Sequence, residues 1–332
     1  MRALWRTRLG TAYAVVVVVL ATLSVLAQAP AASASASTRQ RLGASRRLDD
    51  ARSVDDRLFE PGACMEFPPT SGDRHLTVFL DAGHGGIDPG GVGQDENGNT
   101  VYEKDITLPV ELDTMALLRA KGFTVVVSRT TDETVSRPQP DDVSGGLFTA
   151  QGVHDDVAAR DECADEAKAD LLVGIYFDAG AYSSNAGSVT GYDSARPFSA
   201  ENEKFANLLQ NDVLSAMNAQ GWQIPSLGVV DDSELGGPAL TEAAGDYGHL
   251  LLLGPAVPGW FSTPSTMPGA LIEPLFITDP FEASIAEGSS GQRVIAGGMA
   301  QAVEQYFAPP PGGQNSEKGK PTHHRSNVRK AA

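Results

Sequence analysis

The sequence predicts an α/β fold: a single domain with a mostly parallel, twisted sheet and helices on both faces. Three observations carry that expectation. Short apolar runs of strand type alternate along the chain with longer stretches of helical periodicity. The run Val78-Phe79-Leu80-Asp81-Ala82 ends in Gly83-His84-Gly85-Gly86, as strands of an open sheet end in loops where backbone must approach a ligand. About 235 residues between two polar ends suffice for one sizeable core, and no internal repeat breaks them up.

Taken in order, the chain opens on Arg2, Arg6 and Arg8, followed by an apolar stretch from Tyr13 to Leu26 and by small-residue sites such as Ala27-Gln28-Ala29 and Ala34-Ser35-Ala36. This is the pattern of a secretory signal peptide, assigned to residues 1–36. An uncleaved anchor is the alternative, but the apolar run falls short of the ~20 residues a spanning helix needs. Residues 37–74 mix arginines and aspartates with little apolar material and are expected to be a linker and lead-in. Residues 309–332 turn basic through Lys318, Lys320, Arg325, Arg329 and Lys330 and are expected to be a disordered tail, so that His323 and His324 are set aside as site residues.

Between these ends, Val78 to Ala82 is expected as a strand and Ile106 to Lys121 as an amphipathic helix with Leu108, Leu112, Met115 and Leu118 on its stripe. Phe123 to Ser128 reads as a strand, Val157 to Lys168 as a helix, and Leu171 to Tyr176 as a strand. Ala200 to Gln220 reads as a long helix, Leu250 to Leu253 and Ala270 to Ile272 as strands, and Arg293 to Phe307 as the closing helix. Cys64 and Cys163 are the only cysteines, and an even count in an exported chain favours a disulfide over a free buried pair.

Charge narrows the partners. Against 25 basic residues stand 42 acidic ones, for a net charge of −17, and such a surface disfavours nucleic acid. An exported, acidic protein fits this composition.

Chemistry gathers at His84. A phosphate cradle would need Gly-Lys-Ser/Thr or an opening helix after the glycines, and the segment after Gly93 is polar and turn-like instead. A tight turn with a self-satisfied histidine and a metal ligand both remain open, and the metal reading requires partners on neighbouring elements. Glu103, just before a helix start, is favoured there by free N–H groups, and the same rim would let it face His84.

Several separated motifs resemble those of the zinc-dependent N-acetylmuramoyl-L-alanine amidases of the amidase-3 type. They are Phe79 to Gly86, Glu103-Lys104-Asp105, Ser128 to Asp132, Ala169 to Ile175, and Ala270 to Pro280, in that order, within residues 75–308. The resemblance implies that His84 is the first zinc ligand, Glu103 the second, and Glu273 the general base on the zinc-bound water. The family's third ligand, a histidine after the Leu171 strand, is here Tyr176, followed by Phe177 and Asp178. Asp178, two residues on, is the expected replacement, completing a His84, Glu103, Asp178 set for Zn2+. His154 is a second candidate, on a stretch from 136 to 155 that looks inserted relative to the family, whereas His249 is expected to cap a turn. Tyr176 itself would line the pocket or donate to an oxyanion, and Arg160 would pair with Asp81 or Asp132.

The resemblance further implies a monomeric, secreted hydrolase of the cell wall or periplasmic space. It would act on peptidoglycan or muropeptides, with no membrane anchor once the signal is removed. A catalytically silent relative that binds wall fragments or regulates a partner hydrolase is the competing class. No separate wall-binding module is recognisable.

Overall fold

Each central strand alternates its side chains between two hydrophobic layers, and that alternation fixes where the helices dock. In a computed structural model of the chain, which describes residues 50–235 and 247–309, the elements run as follows. The first are β1 (Arg52–Ser53), β2 (Ala63–Phe67), β3 (Thr77–Ala82), β4 (Val92–Gln94), β5 (Thr100–Tyr102), α1 (Glu103–Ala120), β6 (Thr124–Arg129), β7 (Val143–Ser144) and β8 (Leu147–Phe148). Then come α2 (Ala150–Glu166), β9 (Leu171–Ile175), β10 (Ser188–Tyr192), α3 (Ser199–Asn218), β11 (Ser226–Asp231), β12 (Gly269–Glu273), α4 (Pro280–Glu287) and α5 (Ser289–Tyr306).

Eight strands form one sheet in the order β1-β2-β6-β3-β9-β12-β10-β11. The central four, β6, β3, β9 and β12, are parallel to one another, while β2 and β10 join antiparallel on either side. The expected fold class is the observed one.

Val78, Leu80, Val125, Val127, Leu171, Val173, Ile175, Ala270 and Ile272 point into the larger core, with Ile106, Val110 and Met115 of α1, Phe205, Leu209 and Val213 of α3, and Ile295, Met299 and Val303 of α5. Their sequence neighbours Phe79, Val126, Leu172 and Leu271 point into the smaller core, which α2 closes with Ala159, Cys163 and Ala164. Burying one such Leu or Phe contributes roughly 1.5–3 kcal/mol.

The structure departs from the sequence expectations in several places. Residues 52–67, within the expected linker, supply two sheet strands, because Phe59, Ala63, Cys64 and Phe67 are buried apolar anchors within an otherwise charged stretch. Cys64 is bonded to Cys163 with Cα atoms 5.7 Å apart, which ties this lead-in to α2. The Leu250 to Leu253 run is a turn, with the Leu250 carbonyl accepting from both Leu253 and Gly254, and Leu252 and Leu253 filling the smaller core. Strands β10 and β11 were not expected, since Ser188-Val-Thr-Gly-Tyr and Ser226-Leu-Gly-Val-Val-Asp carry glycine and hydroxyl residues where strands usually show apolar runs. Helix α2 starts seven residues earlier than read, because the Thr149 side chain accepts from Gly152 N and caps it there. The short α4 follows Asp279, whose side chain accepts from Glu282 N, with Pro280 at its first position.

Among the described residues no helix is long and apolar enough to cross a membrane. The expected signal peptide and almost all of the basic tail lie outside the described residues, as does the first part of the linker.

Candidate active site

The carboxyl ends of β3, β9 and β12 lie side by side, and the chain leaving each one delivers a polar side chain to the same rim. From β3 comes His84, whose backbone sits in the left-handed region at φ 62°, a conformation costing roughly 1–3 kcal/mol for a non-glycine residue and concentrated at functional sites. Two glycines make room here, Gly83 for the Tyr176 ring and Gly90 for His84. A Cβ on Gly83 would lie 2.4 Å from the Tyr176 ring, and one on Gly90 would lie 2.6 Å from the His84 ring and 2.7 Å from Glu103 Oε2.

Both ring nitrogens of His84 face carboxylates. Nδ1 is 2.8 Å from Asp88 Oδ2 and Nε2 is 3.1 Å from Glu103 Oε2. Burial opposes a charge on this ring, but Glu103 and Asp88 outweigh it and raise the imidazole to about 10. Glu103 is the first residue of α1. Its Oε1 accepts from Phe177 N and its Oε2 from Gly91 N, each at 2.8 Å, so the carboxylate is fixed as well as buried.

Glu273 ends β12, and Asp178 follows β9 in a bridge to Phe276. The Glu273 and Asp178 carboxyls hydrogen-bond each other. Glu273 is raised well above the usual range by burial first and then by Asp178 and Glu103, and Asp178 is raised by its own burial. Four carboxyl groups, those of Asp88, Glu103, Asp178 and Glu273, thus gather about this rim, two of them in contact with His84.

Beneath them runs a polar chain. The Tyr176 hydroxyl donates to Asp81 Oδ2 at 3.0 Å, and its ring stands edge-on to His84 with centroids 5.4 Å apart. Arg160 Nη1 donates to Asp81 Oδ1 at 2.6 Å, and its Nη2 donates to Asp156 Oδ2 and to the His84 carbonyl, both at 2.8 Å. Of the two acids expected to pair with Arg160, Asp81 does so, while Asp132 pairs with Lys104 at 2.7 Å.

His84, Glu103, Asp178 and Glu273 are therefore brought to one rim, with Asp178 turned onto Glu273. His154 goes elsewhere: its Nε2 is 2.8 Å from the Trp260 carbonyl and its Nδ1 2.8 Å from Asp155. His249 pairs with Asp193 and Asp232. Among the described residues, those last three are the one set of His, Cys, Asp or Glu whose ligand atoms all lie within 4.8 Å of one another. Sequence reasoning missed Asp88, whose only signal was a carboxylate four residues after a histidine in a glycine loop.

The donors of the rim suit a small divalent ion. Two ligands at ~2.0 Å from a tetrahedral zinc lie about 3.3 Å apart, and His84 Nε2 and Glu103 Oε2 are 3.1 Å apart. Each is held on its far side, by Asp88 and by Phe177 N, in the way outer partners orient metal ligands. Burial and mutual repulsion favour the protonated forms of Glu273 and Asp178, and a bound cation would favour their charged forms instead.

Fold and site together define an α/β enzyme domain with a histidine–carboxylate centre beyond the carboxyl ends of its parallel strands. A family model described as N-acetylmuramoyl-L-alanine amidase matches residues 78–305, and the chain belongs to that family. It is 25% identical over 244 residues to a germination-specific N-acetylmuramoyl-L-alanine amidase of Bacillus subtilis, spanning 74% of this chain and 81% of that protein. It is also 25% identical over 246 residues to the N-acetylmuramoyl-L-alanine amidase AmiC of Neisseria meningitidis, spanning 70% of this chain and 53% of that one. Its fold resembles the CwlD amidase of Clostridioides difficile, solved in complex with the GerS lipoprotein, with a TM-score of 0.52 at 21% identity over 70% of this chain and 98% of that one.

Proposed function

We propose that this protein is an exported, monomeric peptidoglycan hydrolase that cleaves the amide between N-acetylmuramic acid and L-alanine of the stem peptide. The convergence of His84, Glu103 and Glu273 on one rim, inside the stretch that matches the amidase family, carries this reading. His84 and Glu103 would hold a zinc ion, with Asp178 as the third ligand once it leaves its hydrogen bond with Glu273. When bound, zinc supplies Lewis-acid polarisation of the scissile carbonyl and acidifies a water. Glu273, freed from Asp178, would serve as the general base that takes a proton from the attacking water and passes it to the leaving amine. Arg160 holds the His84 carbonyl and Asp88 orients the ring. An open groove lined by Val92, Gln94, Thr100, Tyr182 and Thr278 begins two residues beyond Asp178 and offers room for the substrate strand. Export is supported by the amino-terminal signal pattern and by the disulfide.

One observation favours a second reading, a silent relative that binds wall fragments or regulates a partner hydrolase. Tyr176 stands where the family has an imidazole, and its hydroxyl is committed to Asp81. Incubating the protein with purified muropeptides and zinc separates the two. Release of free stem peptide, abolished in Glu273→Gln, is the expected result; no release with zinc supplied would establish the silent relative.

A further inference from the structure

The far end of the sheet carries a second convergence of donors. Val189 pairs with Glu273, so Asp193, four residues further along β10 and its continuation, lies about 13 Å from the Glu273 rim at ~3.3 Å per strand residue. Three chain segments meet there: Asp193 follows β10, Asp232 follows β11, and His249 lies in the turn region after Tyr247.

His249 Nδ1 is 2.9 Å from Asp193 Oδ2 and 3.1 Å from Asp232 Oδ1. The other oxygen of each carboxylate is already anchored. Asp193 Oδ1 accepts from Ala195 N at 2.6 Å and Arg196 N at 2.9 Å, and Asp232 Oδ2 accepts from Leu250 N at 2.8 Å. Backbone N–H groups thus orient both carboxylates so that one oxygen of each points at the imidazole nitrogen, as outer partners orient metal ligands.

The inner oxygens are poorly served by protein alone. Asp193 and Asp232 are 0% and 1% exposed, and Asp193 Oδ2 makes no well-directed hydrogen bond among the described residues despite its closeness to His249. The neighbouring guanidinium of Arg196 is spent on the carbonyls of Leu253, Gly254 and Ser265. Two buried carboxylates therefore share one imidazole, and a metal ion, unlike an N–H, meets both oxygens without a directional penalty. Buried charges are otherwise retained only when paired or coordinated.

We propose that Asp193, Asp232 and His249 form a divalent-cation site distinct from the rim of His84 and Glu103. One nitrogen and two carboxylate oxygens, the nitrogen 2.9 and 3.1 Å from the oxygens and all three within 4.8 Å of one another, select a borderline ion of the zinc type over calcium, which prefers six to eight oxygens. The ion clasps the ends of β10 and β11 to the segment leading into the smaller core.

The test is zinc stoichiometry of the dialysed full chain, wild type beside His84→Ala, His249→Gln and Asp193→Asn. His84→Ala should keep the zinc of the far site, and His249→Gln and Asp193→Asn should each lose one equivalent relative to wild type, with millimolar Ca2+ failing to displace it. Since replacing a buried aspartate can itself unfold the domain, His249→Gln at its partly exposed position decides, supported by the wild type alone. There the imidazole nitrogen resonances of His249 should shift as Zn2+ is added. Unchanged stoichiometry in His249→Gln, or His249 resonances indifferent to Zn2+, would overturn the proposal, whatever becomes of activity at Glu273.

Discussion

The Tyr176 hydroxyl is held 3.0 Å from Asp81 Oδ2, while the ring stands edge-on to His84 with centroids 5.4 Å apart. The residue that the family resemblance sets at a ligand position is thereby tied to Asp81, which Arg160 also holds.

Returning an imidazole to that position should strengthen metal binding. If binding of order 10 kcal/mol is shared by three ligands, one ligand is worth roughly 3 kcal/mol, about 10²-fold in affinity, which bounds the gain of an imidazole over an Asp178 that must first leave Glu273. Tyr176→His should show that gain in a competitive zinc titration. Tyr176→Phe should leave zinc affinity unchanged and cost about 1 kcal/mol of stability, the value of one hydrogen bond.

Arg160 is 1% exposed and neutralises two buried acids, Asp81 and Asp156. Removing one partner of such a network leaves uncompensated charge and typically costs 3–5 kcal/mol. Arg160→Ala should show a loss of this size in urea unfolding, together with weaker zinc binding, because the His84 carbonyl loses its donor.

Glu111 gives a pH dependence. Its Oε1 accepts from Ala82 N, Ser128 N and Ser128 Oγ, and burial raises the carboxyl from 4.5 to about 8 against the pull of Arg129. The folded state therefore keeps a proton that the unfolded chain releases. Its contribution is fully present below the unfolded value of 4.5 and is lost as pH rises towards about 8. Stability should fall by a few kcal/mol over that window, and Glu111→Gln, which preserves the Oε1 acceptor, should flatten the fall in melting curves taken at each pH.

Closing a loop of sequence separation 99, the Cys64–Cys163 bond should contribute about 4–5 kcal/mol on the chain-entropy account. Without reductant, alkylation of the unfolded protein should add no mass. Adding reductant, or replacing both cysteines by serine, should lower the melting temperature.

The central architecture was legible because β3, β6, β9 and β12 are apolar on both faces, a pattern short strands show only when covered twice. His84 was singled out because it sits where the apolar run of β3 ends in glycines, whereas the roles of Glu103, at a helix start, and Glu273, at a strand end, came from the resemblance of their motifs to those of the amidase family. β10 and β11 were hidden because their ladder is held in part by side chains, with Gln210 Oε1 accepting from Thr190 Oγ1 at 2.8 Å and Gln210 Nε2 donating to the Ser188 carbonyl at 2.9 Å. The partnership of Asp178 with Glu273 was hidden because it depends on how the chain bends after β9, not on strand alternation. The lead-in was misjudged because its many arginines and aspartates outweighed four well-placed apolar residues in a count that ignores position.

The bond from Cys64 to Cys163 encloses β3, the His84 loop, Glu103, all of α1 and the exposed β7–β8 hairpin with Gly145, Gly146 and Leu147 at its tip. A protease that nicks that hairpin once opens the loop without releasing a fragment. The two pieces remain one covalent molecule, and His84 and Glu103 stay tethered to the strands that carry Asp178 and Glu273. For the exported protein proposed above, in surroundings where proteases are abundant and no chaperone repairs a broken chain, such a molecule should survive its first cut.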